Sequence, residues 1–405
     1  MAPNWSYDLP EELIISVAKR LTDSLQDFIF FGAVCKSWRS AATEVKEKNP
    51  NNIALRLLTH QVPLLLLPLS CWQRPPPILV SNPVPKIIRP PPKEKSEGLN
   101  EAVEFYSLKG KGNKISYKLN LPKARMRICF SSFGWLVIVS KTEGCEWSLV
   151  HPLNHAKIEL PDVQRSLPRS VVSGFRVGKF ALSSSPSWTS DYIVMFQSGH
   201  RFGFCRPGLG EKWKYKVSWG DLVTDLSYYK GQFYFVHLSS RISVFDIDKE
   251  EIRLVAPEFP KEQLLGPNVL IKEHYLVESA GVLLVVLFTT TTTKCKDQGL
   301  TFGCRVFEVP FTNSKSWSDS EVRSLGNRTI FLSKCSSSFS IEASDYSGLC
   351  KANSIYFMNN KVVLPRQSRD MGVFNMKDGT ITRDFDKFFD YEELRGFHSW
   401  IQPSL

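Results

Sequence analysis

The sequence of 405 residues lacks the apolar runs that a membrane helix requires. Its longest apolar runs, at residues 62–69 and 281–288, fall far short of the ~20 residues needed to span a bilayer. The N-terminus shows no charged start followed by an apolar stretch, so we expect no secretory signal. These absences favour a soluble protein of the cytoplasm or nucleus, with no membrane partner.

The nine cysteines show neither a disulfide nor a zinc pattern, because their number is odd and no Cys-x-x-Cys occurs. Disulfide-stabilised domains favour even numbers of cysteines, and zinc ribbons need paired ones. We therefore expect reduced, mostly buried thiols.

Sequence signatures of catalysis are also missing. No G-x-S-x-G occurs, and neither a P-loop nor G-x-G-x-x-G follows a predicted strand. His151, His155 and Cys145 suggest a metal site, but the two histidines flank a predicted turn from which ligands would point apart. Asp345 and His398 have no supporting motif for a catalytic triad. We expect no catalytic residue, metal or cofactor.

The first sixty residues have the periodicity of helices. Leu13, Val17 and Leu21 are spaced four residues apart and form one apolar stripe, and Pro10 suits the start of a helix. Ten of the 31 residues from 63 to 93 are proline, which a helix cannot accommodate. We interpret residues 51–99 as an extended linker.

From residue 100 onward the pattern alternates with the period of β-strands. Apolar strands recur, starting at residues 134, 191, 231, 281 and 354, and a weaker unit precedes them. Six units in 306 residues give 51 residues per unit, in the range of propeller blades. The pattern predicts an all-β propeller of about six blades over residues 100–405; a β-sandwich is the alternative.

The net charge of +11 is concentrated in one part of the chain. Residues 86–127 contain eleven Lys or Arg and four Glu, a net charge of +7. A nucleic-acid surface needs a continuous basic face with interleaved aromatic residues, and residues 212–216 (Lys-Trp-Lys-Tyr-Lys) are the best candidate. We interpret that segment as an edge strand, whose lysines discourage edge pairing, and expect no nucleic-acid partner.

Two short segments near the N-terminus resemble the F-box. These are Leu9-Pro10-Glu11-Glu12-Leu13-Ile14 and Val34-Cys35-Lys36-Ser37-Trp38-Arg39, separated by the spacing of that family. The resemblance implies a three-helix module over residues 5–50 that docks on the Skp adaptor of cullin-type ubiquitin ligases.

The resemblance also assigns the residues of the docking surface and its support. They are Leu9, Pro10, Leu13, Ile14, Val17, Leu21, Val34, Cys35, Trp38 and Arg39. Leu21 and Trp38 are equally consistent with the interior of the module. Phe30 stands where members of the family usually carry arginine.

The remainder of the chain resembles the kelch-like domain that follows the F-box in plant proteins of the KIB type. The matching segments include Gly134-Trp135-Leu136-Val137, Phe204-Cys205-Arg206-Pro207-Gly208 and Asn353-Ser354-Ile355-Tyr356-Phe357. This resemblance implies a non-catalytic substrate receptor, whose F-box binds the Skp adaptor and, through it, cullin. The propeller then captures a target protein for ubiquitination. Two alternatives are a scaffold that does not lead to degradation and a propeller that binds a small ligand or glycan.

Overall fold

The computed structural model describes residues 9–48 with gaps, strands at 64–68, 101–107 and 117–121, and, with short gaps, residues 126–383 and 399–402. Helices α1 (Glu11–Arg20) and α2 (Lys36–Lys48) contact each other near the N-terminus. A third helix, α3 (Lys261–Leu264), is a single turn. The rest of the regular structure is almost entirely β.

Five sheets are built from strands that follow one another along the chain, and we call them blades 1–5. Blade 1 contains β4 (Met126–Ser132), β5 (Trp135–Ser140), β6 (Trp147–Val150) and β7 (Lys157–Glu159). Blade 2 contains β8 (Lys179–Leu182), β9 (Val194–Ser198), β10 (Arg201–Cys205) and β11 (Lys214–Val217). Blade 3 contains β12 (Val223–Tyr229), β13 (Gln232–His237), β14 (Ile242–Asp246) and β15 (Glu251–Ala256).

The last two blades depart from this four-stranded plan. Blade 4 contains β16 (Val269–Ser279), β17 (Val282–Thr291) and β18 (Gly303–Glu308). Blade 5 contains β19 (Arg328–Ser333), β20 (Phe339–Glu342), β21 (Ser354–Asn359), β22 (Asp370–Asn375) and β23 (Ile381–Thr382). In blade 5, β19 and β21 pair in parallel, whereas the other strand pairs in the blades are antiparallel.

A composite sheet closes the ring. It has the order β24-β1-β2-β3, so that the last strand, β24 (Ser399–Ile401), pairs with β1 (Leu64–Pro68). The other two strands are β2 (Glu101–Ser107) and β3 (Tyr117–Leu121). β24 contacts both β4 of blade 1 and β19 of blade 5, and the blades between contact their neighbours in order.

The propeller prediction is therefore confirmed and the β-sandwich is excluded, but the prediction of about six blades is wrong, because there are five. Five blades form from consecutive strands, and the composite sheet joins strands that lie far apart in the chain. One of them, β1, lies inside the predicted linker 51–99. The weaker unit of the sequence corresponds to β2 and β3, whereas β1 and β24 pair from distant parts of the chain and leave no local repeat.

The core lies between the blades. Blades 1 and 2 share a cluster in which the Trp147 ring meets that of Phe180 at 5.2 Å, and similar clusters fill the spaces between each later pair of consecutive blades. Indole N–H groups also connect blades: Trp213 Nε1 donates to the Pro161 carbonyl at 2.5 Å, and Trp317 Nε1 to that of Pro257 at 3.1 Å. Middle strands are thus buried on both faces, which explains their continuous apolar runs.

Candidate functional site

Helix α1 divides its apolar residues between the protein interior and the surface. Pro10 precedes the helix, and Glu11 and Glu12 occupy its first turn, where acidic side chains interact favourably with the helix dipole. Ile14 and Ala18 are buried, whereas Leu13 is 53% exposed and Val17 is 42% exposed. The exposed pair is four residues apart and shares one face of the helix.

Helix α2 packs through small residues. Ala41, Ala42 and Val45 are buried, as are Phe28 and Phe31 from the preceding segment. The Trp38 ring lies 4.6 Å from that of Phe31 and is half-buried. Its indole Nε1 is buried and has no hydrogen-bond partner within the part of the chain that the structure describes.

The predicted docking residues fall into three groups by exposure. Ile14 is buried, so it supports the surface and does not form it. Leu9, Leu21, Cys35 and Trp38 are half-buried. The exposed residues are Pro10, Leu13, Val17, Val34 and Arg39. Val34 is 55% exposed, so it faces solvent together with Leu13 and Val17. Phe30 lies outside the described residues.

Cys35 and Arg39 make polar contacts at the start of α2. Cys35 Sγ lies 3.2 Å from Ser37 Oγ, and this hydroxyl, followed by the Trp38 backbone amide, lowers the pKa of the thiol. Arg39 Nε donates to the Gly32 carbonyl at 3.3 Å. Arg39 thereby ties α2 to the segment before it while its side chain stays exposed.

In the propeller, a buried ion pair connects neighbouring blades near the axis. Lys179 on β8 pairs with Asp225 on β12, and both side chains are buried. Asp225 Oδ2 also accepts the Leu276 N–H of blade 4 at 2.8 Å. Burial raises the pKa of Asp225, and the Lys179 ammonium and the Leu276 amide act against that rise. Three blades thus meet at one carboxylate.

A serine-rich segment of blade 5 reaches across the centre of the ring. The Ser337 backbone N–H donates to the Ser131 carbonyl at 2.8 Å, and its hydroxyl donates to Ser132 Oγ at 2.8 Å and to the Phe180 carbonyl at 3.4 Å. Phe180 belongs to blade 2, on the opposite side of the ring from blade 5, whereas Ser131 and Ser132 belong to blade 1, which the composite sheet separates from blade 5. The segment with Ser337 therefore crosses part of the central space of the ring.

A serine–histidine–aspartate arrangement lies in blade 3, although the sequence carries no motif for it. Ser243 Oγ lies 2.8 Å from His237 Nε2, and His237 Nδ1 lies 3.3 Å from Asp221 Oδ1. Burial lowers the pKa of His237. Asp221 also accepts the Ser239 N–H at 2.5 Å. Ser243 is buried. Through Asp221, the contacts hold the chain between β11 and β12 against the turn after β13.

Most of the residues that suggested metal or triad chemistry lie outside the part of the chain that the structure describes. His151 is buried and its ring lies 5.1 Å from that of Trp135, while Cys145, His155 and His398 lie outside the described residues. Asp345 lies in a 3-10 turn. Across the described ranges there is no group of three or more His, Cys, Asp or Glu that could hold a metal ion. None of the described helices is both long enough and apolar enough to span a bilayer.

The lysine-rich segment at 212–216 forms an edge strand, as predicted. β11 is the outer strand of blade 2. Lys214 and Lys216 pair with the two carboxylate oxygens of Glu250 at 3.0 Å and 2.9 Å. Trp213 is buried between the blades. The lysines on this edge are thus partly neutralised by the neighbouring blade.

Known proteins match this chain over most of its length. A family model described as the KIB1-4 beta-propeller matches residues 105–375. The Arabidopsis thaliana "F-box protein SKIP23" is 25% identical, covering 93% of this chain and 90% of that protein. The "Putative F-box protein At3g25750" of the same species is 24% identical, covering 99% and 98%. Among solved structures, TolB from Acinetobacter baumannii matches with a TM-score of 0.41 and 8% identity, over 90% of this chain and 74% of that one.

Proposed function

Because the chain belongs to the KIB1-4 beta-propeller family, we propose that it is the substrate-recognition subunit of a Skp–cullin–F-box ubiquitin ligase. Its N-terminal helices bind a Skp-type adaptor, which connects it to cullin, and the propeller captures the target protein. The subunit itself is non-catalytic. The observation that carries this proposal is the match to F-box relatives over nearly the whole chain.

The exposed apolar residues of the helical region support the docking step. A surface helix of a globular protein normally turns its apolar stripe towards the core, yet Leu13 and Val17 on α1 and Val34 before α2 are exposed. Docking of a partner helix on such residues buries them, as in other helix-in-groove complexes. Arg39 at the same module offers a forked donor, a residue type common at interface hot spots.

The crossed centre of the ring favours a protein target over a small ligand or glycan. Ser336 is buried there, and Ser337 is bonded to blades 1 and 2. Target capture therefore falls to the outer turns of the propeller. The four described free thiols, Cys35, Cys205, Cys304 and Cys350, support action in the cytoplasm or nucleus.

The docking step is tested by adaptor binding. Replacement of Leu13 and Val17 together by alanine is expected to weaken capture of a plant Skp adaptor at least about tenfold, because both side chains lose apolar contact area. The matched control replaces Glu12 and Ser16, exposed on the same helix, and is expected to bind normally. Undiminished binding by the Leu13/Val17 variant would overturn the docking assignment.

The ligase role is tested separately from docking. Proteins captured by the full chain but not by the Leu13/Val17 variant are expected to be the adaptor and cullin, whereas targets are captured by both. Target abundance is expected to rise on proteasome inhibition. A target whose abundance stays constant would instead favour the scaffold function.

A further inference from the structure

Phe133 and Trp188 form an exposed aromatic pair on the propeller. Phe133 is 37% exposed, Trp188 is 58% exposed, and their ring centroids are 5.9 Å apart at an interplanar angle of 75°. Phe133 lies in the turn between β4 and β5, and Trp188 in the segment between β8 and β9. These are equivalent positions of blades 1 and 2, so the pair lies on one face of the ring.

Phe133 is held in a backbone conformation that an aromatic residue disfavours. It has φ 47° and is followed by Gly134 with φ 77°, in a two-residue turn whose first position favours asparagine, aspartate or glycine. Blades 3 and 4 have the corresponding turns Lys230-Gly231 and Ala280-Gly281, also with positive φ. Of these three turns, the one in blade 1 places an aromatic ring at this strained position.

Trp188 is presented by a segment that is already fixed. Its backbone N–H donates to the Ser185 carbonyl at 3.0 Å, and Ser187 N–H donates to Ser185 Oγ at 3.2 Å. Ser187 Oγ in turn accepts the Trp135 indole N–H of blade 1 at 3.1 Å. Binding to this tryptophan therefore costs little ordering of the loop, which is the condition for a strong contact.

The turns that hold the pair are serine-rich and uncharged, although the exposed Asp191 directly follows one of them and Arg206 precedes another. Leu209, 62% exposed, follows Gly208, whose backbone packs directly against the Ser190 carbonyl beside Trp188. Residues 132–135, 183–190 and 207–210 contain no charged side chain. Acidic and phosphorylated motifs need an arginine cluster, and strand addition needs an open sheet edge; these turns offer neither.

We propose that Phe133 and Trp188 form the site where the propeller binds a proline-containing extended segment of its target. Two rings at 75° make a corner with two aromatic walls, against which a proline ring can pack. Polyproline II segments are bound in this way by aromatic-lined grooves. The Trp188 indole N–H makes no hydrogen bond to the described residues. It is therefore available to donate to a backbone carbonyl of the bound segment. This proposal rests on the proposed function and names the target chemistry.

The test is calorimetric titration of an oligoproline peptide into the full chain. Saturable binding is expected, and Trp188→Ala and Phe133→Asn are each expected to weaken it at least about tenfold. Asparagine accepts the positive φ, so Phe133→Asn is expected to fold at least as well as the parent chain, which separates lost binding from lost folding. Leu254→Ala, an exposed apolar residue on the edge strand β15, is the matched control and is expected to bind normally.

The outcomes that would overturn the proposal are distinct. Absence of peptide binding to the parent chain overturns it. A variant with Pro75–Pro77 and Pro90–Pro92 replaced by alanine then shows whether the site is empty or already occupied. If the variant binds the peptide and the parent chain does not, the chain's own prolines occupy the site. If the parent chain dimerises with increasing concentration and Trp188→Ala does not, a second copy occupies it. Either result also overturns the proposal. Adaptor capture through α1 is unaffected in every case, so failure here leaves the ligase proposal standing.

Discussion

Replacement of Lys179 by methionine is expected to destabilise the propeller strongly, although it removes a single buried amine. Lys179 is on blade 2, its partner Asp225 on blade 3, and Asp225 accepts the Leu276 N–H of blade 4. The Lys179 ammonium also lies 5.7 Å from the centre of the Tyr275 ring. Methionine is unbranched and only one atom shorter than lysine, and it leaves the Asp225 carboxylate buried without its counter-charge.

The magnitude follows from burial. Breaking a buried pair by removing one partner costs about 3–5 kcal/mol, because the remaining charge stays desolvated. That is a large fraction of the ~5–15 kcal/mol by which a domain is stable. An exposed pair is worth at most ~1 kcal/mol. Lys214→Met, which breaks the edge contact with Glu250, is therefore the matched control and is expected to change stability little.

The loss is expected to depend on pH. Without Lys179, the pKa of Asp225 rises further above its unfolded value, because burial then acts with less opposition. A carboxyl whose folded pKa is raised loses folding free energy as pH increases from the unfolded pKa to the folded one. The deficit of Lys179→Met relative to the parent chain is therefore expected to be largest near neutral pH and to shrink towards about pH 4.

The assay is urea unfolding followed by intrinsic fluorescence, at neutral and at acidic pH. A second variant, Lys179→Met with Asp225→Asn, removes both charges and keeps an acceptor for the Leu276 N–H, and it is expected to recover most of the lost stability. The reasoning is refuted if Lys179→Met lies within about 1 kcal/mol of the parent chain. It is also refuted if the double variant is no more stable than the single one.

Two further predictions concern contacts between blades. Trp317→Phe removes the hydrogen bond to the Pro257 carbonyl and leaves this buried acceptor unpaired. It is therefore expected to lower the free energy of unfolding, measured in urea, by about 1–3 kcal/mol. The control Trp188→Phe, at an exposed site, is expected to cost little. Burial lowers the pKa of His274 to about 4, so the unfolded chain takes up a proton first as pH falls below about 6.5. The parent chain is therefore expected to lose up to about 2 kcal/mol between pH 7 and pH 5 through this group. His274→Gln is expected to flatten that part of the stability profile, and an unchanged profile would contradict the assignment.

The sequence located the second strand of blades 1–4, and the third strand of blade 5, more readily than the first strand. The predicted starts at residues 134, 191, 231, 281 and 354 correspond to β5, β9, β13, β17 and β21. The strands that line the centre carry polar side chains, such as Lys179 on β8 and Asp225 on β12, and therefore lack an apolar signature. Lys179 and Asp225 pair with each other between neighbouring blades, and no local sequence pattern reveals such a pair.

The docking residues also show what sequence periodicity predicts and what packing decides. Helical spacing brought Leu13, Val17 and Leu21 to one stripe, but the structure makes Leu13 and Val17 exposed and Leu21 half-buried. Ile14, next to Leu13 in sequence, is buried. Periodicity shows which residues share a face; the position of the neighbouring helix decides which part of that face is covered.

By itself, the sequence determined the change from helical to strand periodicity, the resemblance to F-box proteins of the KIB type and the propeller class, because each is carried by local spacing or by short motifs. Only the tertiary structure decided that five blades are closed by a composite sheet, that the segment with Ser337 crosses part of the centre and that Phe133 and Trp188 meet on one face. Those features depend on contacts between residues 50 to several hundred positions apart, such as Ser132 with Ser337. These contacts form only when all blades are in place and the ring is closed.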